Sequence, residues 1–228
     1  MVDEKFTYIS NNYHALQCEI ATVAQEAQRP IPRLLAVTKQ QPQEKIDALL
    51  ALGHRFFAEN KVQEAKLHWE HHPMRPHIEL HCIGHLQRNK ARDAVALFDV
   101  IETVDRASLV DAIAQEATRR GKHQRIMIQV NIGKEPQKSG VDEEHLDALI
   151  MLVRTHRSLA LEGLMCVPPI DTDPTEHFIR LHNYATHYAL PYCSMGMSND
   201  YRTAIRCGAT HVRIGSALLG ERDKLYSA

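Results

Sequence analysis

The most constraining feature of this chain is a regular alternation of short apolar runs with longer amphipathic stretches. The apolar runs have the length and β-branched content of buried strands, and the stretches between them repeat apolar residues at helical spacing. The predicted strands cover residues 33–38, 55–58, 79–83, 100–104, 125–131, 161–167, 192–195 and 211–214. The predicted helices cover residues 43–52, 61–69, 89–97, 107–120, 142–156, 174–187 and 200–207, with a short last helix from Ser216.

About eight successive strand–helix units predict an α/β fold, namely a single closed (β/α)8 barrel of the TIM type. A doubly wound open sheet fits the same alternation and stands as the alternative. No linker or shift in composition divides the chain, so we expect residues 1–228 to form one domain. An extra helix over residues 4–27 is expected to pack on the barrel as an N-terminal addition within residues 1–30.

The net charge and the arrangement of the cysteines limit the kinds of binding partner and indicate the cellular compartment. The formal net charge of -1 gives no bulk attraction to nucleic acid or to anionic membranes. The acidic N-terminus does not resemble a secretory signal, and the apolar runs are too short to span a bilayer. The five cysteines are scattered and form no C-x-x-C motif. We therefore predict reduced thiols and a cytoplasmic protein.

Lys39 ends the first predicted strand and follows a run of apolar residues. Burial disfavours the ammonium form of lysine, and a lysine with a lowered pKa is a nucleophile toward aldehydes. A lysine that merely extends from a strand end into solvent is an equally good interpretation of the position alone.

Two polar segments follow the seventh and eighth predicted strands, where barrel enzymes often bind phosphate. Ser198 lies in the first segment, and its hydroxyl would also suit the N-cap of the next helix. Gly215 and Ser216 lie in the second, where glycine permits close approach and a helix N-terminus offers free amides. These residues predict a phosphate cradle.

A lysine after the first strand and a phosphate cradle after the last two call for a phosphate ligand that carries an aldehyde. Pyridoxal 5'-phosphate (PLP) fits, with a Schiff base on Lys39 and its phosphate at Ser198, Gly215 and Ser216. A class I aldolase fits less well, because a partner acid would be expected beside its lysine. Arg213 would face the pyridine nitrogen and keep it unprotonated, or would pair with an acid on a neighbouring strand.

The chain has fifteen histidines, several of them between His68 and His85. We interpret this cluster as a solvated, histidine-rich helix and loop and predict no metal site, since a site needs converging ligands at defined spacing. A metal-hydrolase barrel and a purely structural interaction protein are the alternatives in other functional classes.

Four segments together resemble one known family: AVTK at Lys39, AENKVQEA around Asn60, HCIGHLQRNK around His85, and SMGMSNDYRTAIRCGATHVRIGSALLGER near the C-terminus. The chain resembles the pyridoxal phosphate homeostasis proteins of the YggS/PROSC type, which are similar to the N-terminal barrel of alanine racemase. The resemblance implies a fold-type III PLP barrel. It also implies the Lys39 Schiff base, the Arg213 contact with the pyridine nitrogen and the phosphate cradle named above. Asn60, His85 and Met165 match positions that line the cofactor.

The resemblance further implies a protein that buffers PLP and delivers it to apo-enzymes, without robust catalysis. The alternative is a PLP-dependent amino-acid racemase, which needs a second base on the opposite face of the substrate from a further domain. We expect no such domain and therefore a monomer. Ala58 and Lys61, which flank the segment around Asn60, stand where the family commonly has glycine and tyrosine.

Overall fold

The computed structural model describes residues 6–135, 137–170 and 172–221. Each of the eight predicted strands is present, with its ends shifted by at most two residues. The strands are β1 (Arg33–Val37), β2 (Phe56–Glu59), β3 (Glu79–Cys82), β4 (Val100–Val104), β5 (Gln124–Gln129), β6 (Leu159–Met165), β7 (Tyr192–Ser194) and β8 (His211–Ile214).

Helices connect the strands along the whole of the described chain. They are α1 (Thr7–Glu26), α2 (Gln43–Ala51), α3 (Val62–Trp69), α4 (Ala91–Leu97), α5 (Ala107–Arg119), α6 (Leu146–Thr155), α7 (Thr175–His187), α8 (Tyr201–Arg206) and α9 (Ser216–Leu219). Two predicted helices begin with a separate 3-10 turn, at Arg88–Lys90 before α4 and Glu143–His145 before α6. The periodicity predicted these turns as the start of the helix, because the first turn of a helix often has 3-10 geometry.

The eight strands form a closed parallel barrel in sequence order. Closure is made by β1 and β8, whose pairing runs from Arg33 opposite His211 to Ala36 opposite Ile214. The (β/α)8 prediction is therefore confirmed, and the open-sheet alternative is wrong. All the strands point the same way, so their carboxyl ends meet at one end of the barrel. We call this end the C-terminal mouth and the opposite end the N-terminal mouth.

Side chains alternate between the two sides of each strand, and the two sides differ in character. The outward side packs with the helices in one large apolar cluster that includes Leu34 and Ala36 of β1. The inward side of β1 and β2 forms a small separate cluster of Leu35, Val37 and Ala58. Elsewhere the inward side of the strands also carries buried polar residues, among them His81, Glu102 and Arg213.

α1 packs on the barrel against α2, α8 and α9. Its buried face contains Ile9, Leu16, Ile20 and Val23, at the predicted helical spacing. Two polar side chains of α1 also bind the last helix: Tyr8 Oη donates to Leu219 O at 3.1 Å, and Asn12 Nδ2 donates to Leu218 O at 3.2 Å. These bonds hold α9, and with it Ser216, in place at the C-terminal mouth. None of the described helices combines the length and apolar character that a membrane crossing requires.

Candidate functional site

Lys39 lies at the C-terminal mouth, in the turn that follows β1. Val37 pairs with Ala58 of β2, and Thr38 N extends this ladder by donating to Ala58 O at 3.1 Å. The turn closes where Gln41 N donates to Thr38 O at 3.2 Å. Lys39 is half-buried, and it follows the strand whose inward residues are Leu35 and Val37 and whose neighbours in the barrel are β2 and β8. It is in the region in which barrel enzymes carry their reactive groups.

A buried polar cluster of three residues supports the backbone on both sides of this position. Glu59 Oε1 accepts hydrogen bonds from Thr38 Oγ1 at 2.6 Å and from His68 Nδ1 at 2.8 Å. Thr38 precedes Lys39, and Glu59 precedes Asn60, so the cluster ties together the two segments that enter the site. Burial acts to lower the pKa of His68, but the hydrogen bond and charge of Glu59 outweigh it and raise that pKa.

His68 thereby corrects the interpretation of the histidine cluster as solvated, because only 9% of the residue is exposed. His68 lies on α3 and points toward the Glu59 carboxylate at the end of β2. The number of histidines in the sequence does not reveal that one of them has a buried carboxylate partner. Among the described residues, the group of potential metal ligands that comes together is Asp142, Glu144 and His145. All three are exposed and lie outside the cluster.

Ser198 and Ser216 come together as predicted for a phosphate cradle. Their hydroxyl oxygens are 3.4 Å apart, at the ends of the loops that follow β7 and β8. Ser198 does not cap α8, which corrects the alternative role: the N-cap position is Asp200, and Asp200 Oδ1 accepts a 2.6 Å hydrogen bond from Met197 N. Among the described residues, the side-chain partner of the Ser198 hydroxyl is Ser216 Oγ.

Gly215 lies between the cradle and β1. A Cβ atom added at this glycine would lie 3.3 Å from Val37 O, closer than most side chains tolerate. The chain therefore passes directly against the strand that leads to Lys39. Ser216 is the first residue of α9, as predicted. Leu218 N and Leu219 N donate to Gly215 O, whereas the amides of Ser216 and Ala217 form no hydrogen bond among the described residues, as is usual at a helix start. Two hydroxyls and free amides form a donor set suited to a phosphate group.

Arg213 points into the barrel and is held on two sides. Only 3% of the residue is exposed. Nη1 donates to Ser194 Oγ and Nη2 donates to Cys166 O, each at 2.8 Å. Cys166 directly follows Met165, so Arg213 reaches from β8 across β7 to the end of β6. The sequence left open an ion pair between Arg213 and an acid on a neighbouring strand. In the part of the chain that the structure describes, Arg213 forms no direct ion pair.

Ser194 links Arg213 to a series of charged side chains, buried in the barrel and half-buried farther along, that runs toward the N-terminal mouth. Ser194 Oγ donates to Glu102 Oε2 at 2.5 Å, and Glu102 Oε1 lies 2.6 Å from His81 Nδ1. His81 Nε2 lies in turn 2.9 Å from Glu79 Oε1. Glu79 accepts from Arg33 at 2.8 Å and from Arg125 at 2.6 Å, and Arg125 Nε donates to both oxygens of Glu162.

The pKa shifts of these linked side chains follow from their geometry. Burial acts to lower the pKa of His81, but carboxylates on both ring nitrogens outweigh it and raise that pKa. Burial acts to raise the pKa of Glu102 and of Glu79, and the hydrogen bonds from His81 outweigh it and lower both. The linked side chains thus comprise four basic residues (Arg33, His81, Arg125 and Arg213) and three acidic residues (Glu79, Glu102 and Glu162). The basic side chains outnumber the acidic ones by one.

Sequence reasoning missed this series of charged side chains, although the sequence carries a visible signal of it. Polar residues stand at alternate positions within otherwise apolar strands, as with Glu79 and His81 in β3 or His211 and Arg213 in β8. Period-two spacing places such pairs on the same side of a strand. Only the closure of the barrel shows that the polar sides of several strands face one another.

The other predicted site residues lie around the same mouth. Met165 ends β6 and is buried beside the Arg213 contact at Cys166. Asn60 follows β2, and its carbonyl oxygen would lie 2.0 Å from a Cβ added at Gly84, so only glycine permits this approach. His85 follows Gly84, with half of its side chain exposed, and its Nδ1 lies 3.0 Å from Ser139 Oγ.

Comparison with known proteins places the chain in one family. The model of the family described as "Alanine racemase, N-terminal domain" matches residues 12–223. Among curated proteins, the chain is 35% identical to the pyridoxal phosphate homeostasis protein of Pasteurella multocida, with 94% of this chain and 98% of that protein covered. It is 36% identical to the protein of the same name from Vibrio cholerae, with 94% and 97% covered.

Solved structures agree with this result. The structure of PipY from Synechococcus elongatus with PLP bound has a TM-score of 0.82 and 30% identity, covering 93% of this chain and all of that chain. Alanine racemase from Clostridium difficile 630 has a TM-score of 0.67 and 13% identity, covering 89% of this chain and 56% of that one. The racemase likeness shows the barrel fold alone. From the family match and its full-length relatives, we conclude that the chain belongs to the pyridoxal phosphate homeostasis proteins, within the family of the alanine racemase N-terminal domain.

Proposed function

We propose that this protein binds PLP at the C-terminal mouth, as a Schiff base on Lys39, and takes part in intracellular PLP homeostasis in the cytoplasm. The observation that carries the proposal is the cradle of Ser198 and Ser216 beside the end of the strand that leads to Lys39. The homeostasis proteins that the chain resembles over nearly their whole length and the PLP-bound PipY structure support it.

The donor set fits both ends of this cofactor. The cradle supplies hydroxyl and amide donors for the phosphate, and the buried guanidinium of Arg213 favours an anionic ligand. Asn60, His85 and Met165 would line the ring from the neighbouring loops and from the end of β6.

The side chain assigned to the pyridine nitrogen favours storage over catalysis. When bound, PLP supplies an aldehyde for amines and an electron sink, which is strongest when its ring nitrogen is protonated. Arg213 is a permanent cation with no carboxylate directly bonded among the described residues, and it has no proton to yield at neutral pH. It would keep the ring nitrogen unprotonated, so we propose a carrier or buffer of PLP rather than an enzyme.

The alternative, an amino-acid racemase, is less well supported. The homeostasis proteins match over almost all of their length, whereas the racemase match covers 56% of the racemase chain. Slow exchange of an amino acid with Lys39 remains compatible with a carrier. We also propose that apo PLP-dependent enzymes receive the cofactor and that the carrier itself is a monomer.

Absorption spectroscopy tests the proposal. Purified protein with added PLP should be yellow, and borohydride reduction followed by peptide mapping should place the adduct on Lys39. Lys39→Ala should lose the imine absorbance, whereas the control Lys61→Ala, which removes an exposed lysine next to Asn60, should retain it. A wild-type protein that stays colourless, or an adduct that maps to another lysine, would contradict the assignment.

A further inference from the structure

A second feature of the molecule lies at the N-terminal mouth, opposite the proposed PLP site. A cavity of about 920 Å³ opens there, between α1 and the segments that lead into β1, β2 and β8. Its polar wall includes Arg29, Arg33, His54, Arg55, Tyr192 and His211. The proposed function makes no use of this cavity.

The charges around the cavity are unbalanced. No acidic side chain is among the described residues of its lining. Arg33 is neutralised by Glu79, which lies deeper in the barrel. Within the described part of the chain, the hydrogen bonds of Arg55 go to uncharged carbonyl oxygens, at 2.9 Å from Leu50 O and 2.7 Å from His54 O. Arg29 is exposed and, within residues 6–135, 137–170 and 172–221, forms no ion pair. Two guanidinium charges thus border the cavity with no acidic partner among the described residues.

The inner wall of the cavity contains a polar atom that lacks a partner. His211 Nε2 has no hydrogen bond among the described residues, although only 1% of the residue is exposed. Its Nδ1 lies 2.8 Å from Thr210 Oγ1, and the ring of Tyr192 packs edge-on against it. Burial lowers the pKa of His211 to about 4, so the ring is neutral at physiological pH. Buried ring nitrogens normally have a partner, which indicates that a ligand or an ordered water belongs beside this one.

From these observations we propose that the cavity is a second ligand site, which binds a small oxyanion between Arg29 and Arg55 with His211 behind it. Phosphate and carboxylate groups share the chemistry that guanidinium groups recognise, by charge and by paired hydrogen bonds. The site does not depend on the PLP assignment. It lies at the other end of the barrel, and β1 and β8 each contribute residues to both ends.

Calorimetric titration with inorganic phosphate, at constant ionic strength, tests the proposal directly. Wild-type protein should show saturable binding, and Arg29→Gln should weaken it about tenfold or more, because one charge-assisted bond is lost. The control Arg157→Gln removes an exposed arginine at the same end of the barrel, outside the cavity lining, and should bind as wild type. Malonate in place of phosphate distinguishes a carboxylate site from a phosphate site.

The rise in melting temperature on adding the anion provides a second readout, because it compares each variant with itself. Ser198→Ala separates this site from the proposed cradle, since it should leave binding at the cavity unchanged. Phosphate binding that falls with Ser198→Ala but not with Arg29→Gln would overturn the cavity proposal and leave the cradle in place. Equal binding to wild type and Arg29→Gln, or no saturable binding of either anion, would overturn it as well.

Discussion

Ser194 Oγ donates a 2.5 Å hydrogen bond to Glu102 Oε2 in the barrel interior, and this bond joins β7 to β4 across the axis. The same hydroxyl oxygen accepts from Arg213 Nη1 at 2.8 Å. A single serine thus fixes the position of the arginine assigned to the cofactor and connects it to a buried carboxylate. The orientation of Arg213 therefore depends on residues that make no contact with the proposed ligand.

Glu102→Gln should weaken this connection and destabilise the fold. The change replaces a buried carboxylate by a neutral amide. His81 then keeps Glu79 as its carboxylate partner, and Arg213 loses the nearby acidic group. We expect a loss of about 2–4 kcal/mol in the free energy of unfolding, measured with urea. The exposed Glu176→Gln serves as the control and should change the free energy by less than about 0.5 kcal/mol. Equal stability of the two variants would show that Glu102 is replaceable by a neutral acceptor.

His81 should contribute a pH-dependent part of the stability. Its pKa is raised in the folded protein, so its contribution is complete below the unfolded value near 6.5 and is lost as the pH rises through the folded pKa. The stability difference between wild type and His81→Gln should therefore shrink as the pH rises above about 6.5. Urea unfolding across this range measures it, with the exposed His123→Gln as control. A difference independent of pH would mean that His81 is not charged in the folded state.

The Glu59–His68 pair should show strong coupling. Both partners are buried, and removing either one leaves the other without its partner in a dry environment. In a double-mutant cycle with leucine at each position, we expect a coupling energy of about 1–3 kcal/mol. The surface pair Arg206–Glu26, both of whose side chains are more than half exposed, offers a comparison, for which about 0.2–1 kcal/mol is expected. Similar values for the two pairs would show that burial adds nothing to the interaction.

Ser198→Ala should weaken PLP binding without changing stability. The hydroxyl lies in the proposed cradle and is not the cap of α8, so its loss removes a phosphate contact but no helix contact. We expect the affinity to fall by about 1–3 kcal/mol, measured by spectroscopic titration. Ser108→Ala, at an exposed serine of α5, is the control. An unchanged affinity would remove Ser198 from the cradle.

Much of this architecture is predictable because it depends on local periodicity. Strand and helix positions follow from the spacing of apolar residues, and the number of βα units predicts closure. The placement of Lys39, Ser198, Gly215 and Ser216 at one mouth follows from the same alternation, because the carboxyl ends of parallel strands meet. The limits of α4 and α6 and the cap of α8 did not follow, since the first turn of a helix depends on nearby packing and hydrogen bonds.

The amino-acid sequence by itself determined the fold class, the order of the strands and the end of the barrel at which the polar loops gather. Only the tertiary structure decided which buried polar groups meet: Glu102 with Ser194, His81 with two carboxylates, and Glu59 with His68. It also placed Arg29 and Arg55 around a cavity in which His211 Nε2 has no hydrogen-bond partner among the described residues. The reason is physical: periodicity specifies on which side of a strand a residue lies, whereas the partner across the barrel depends on closure and register, which involve residues far apart in the chain.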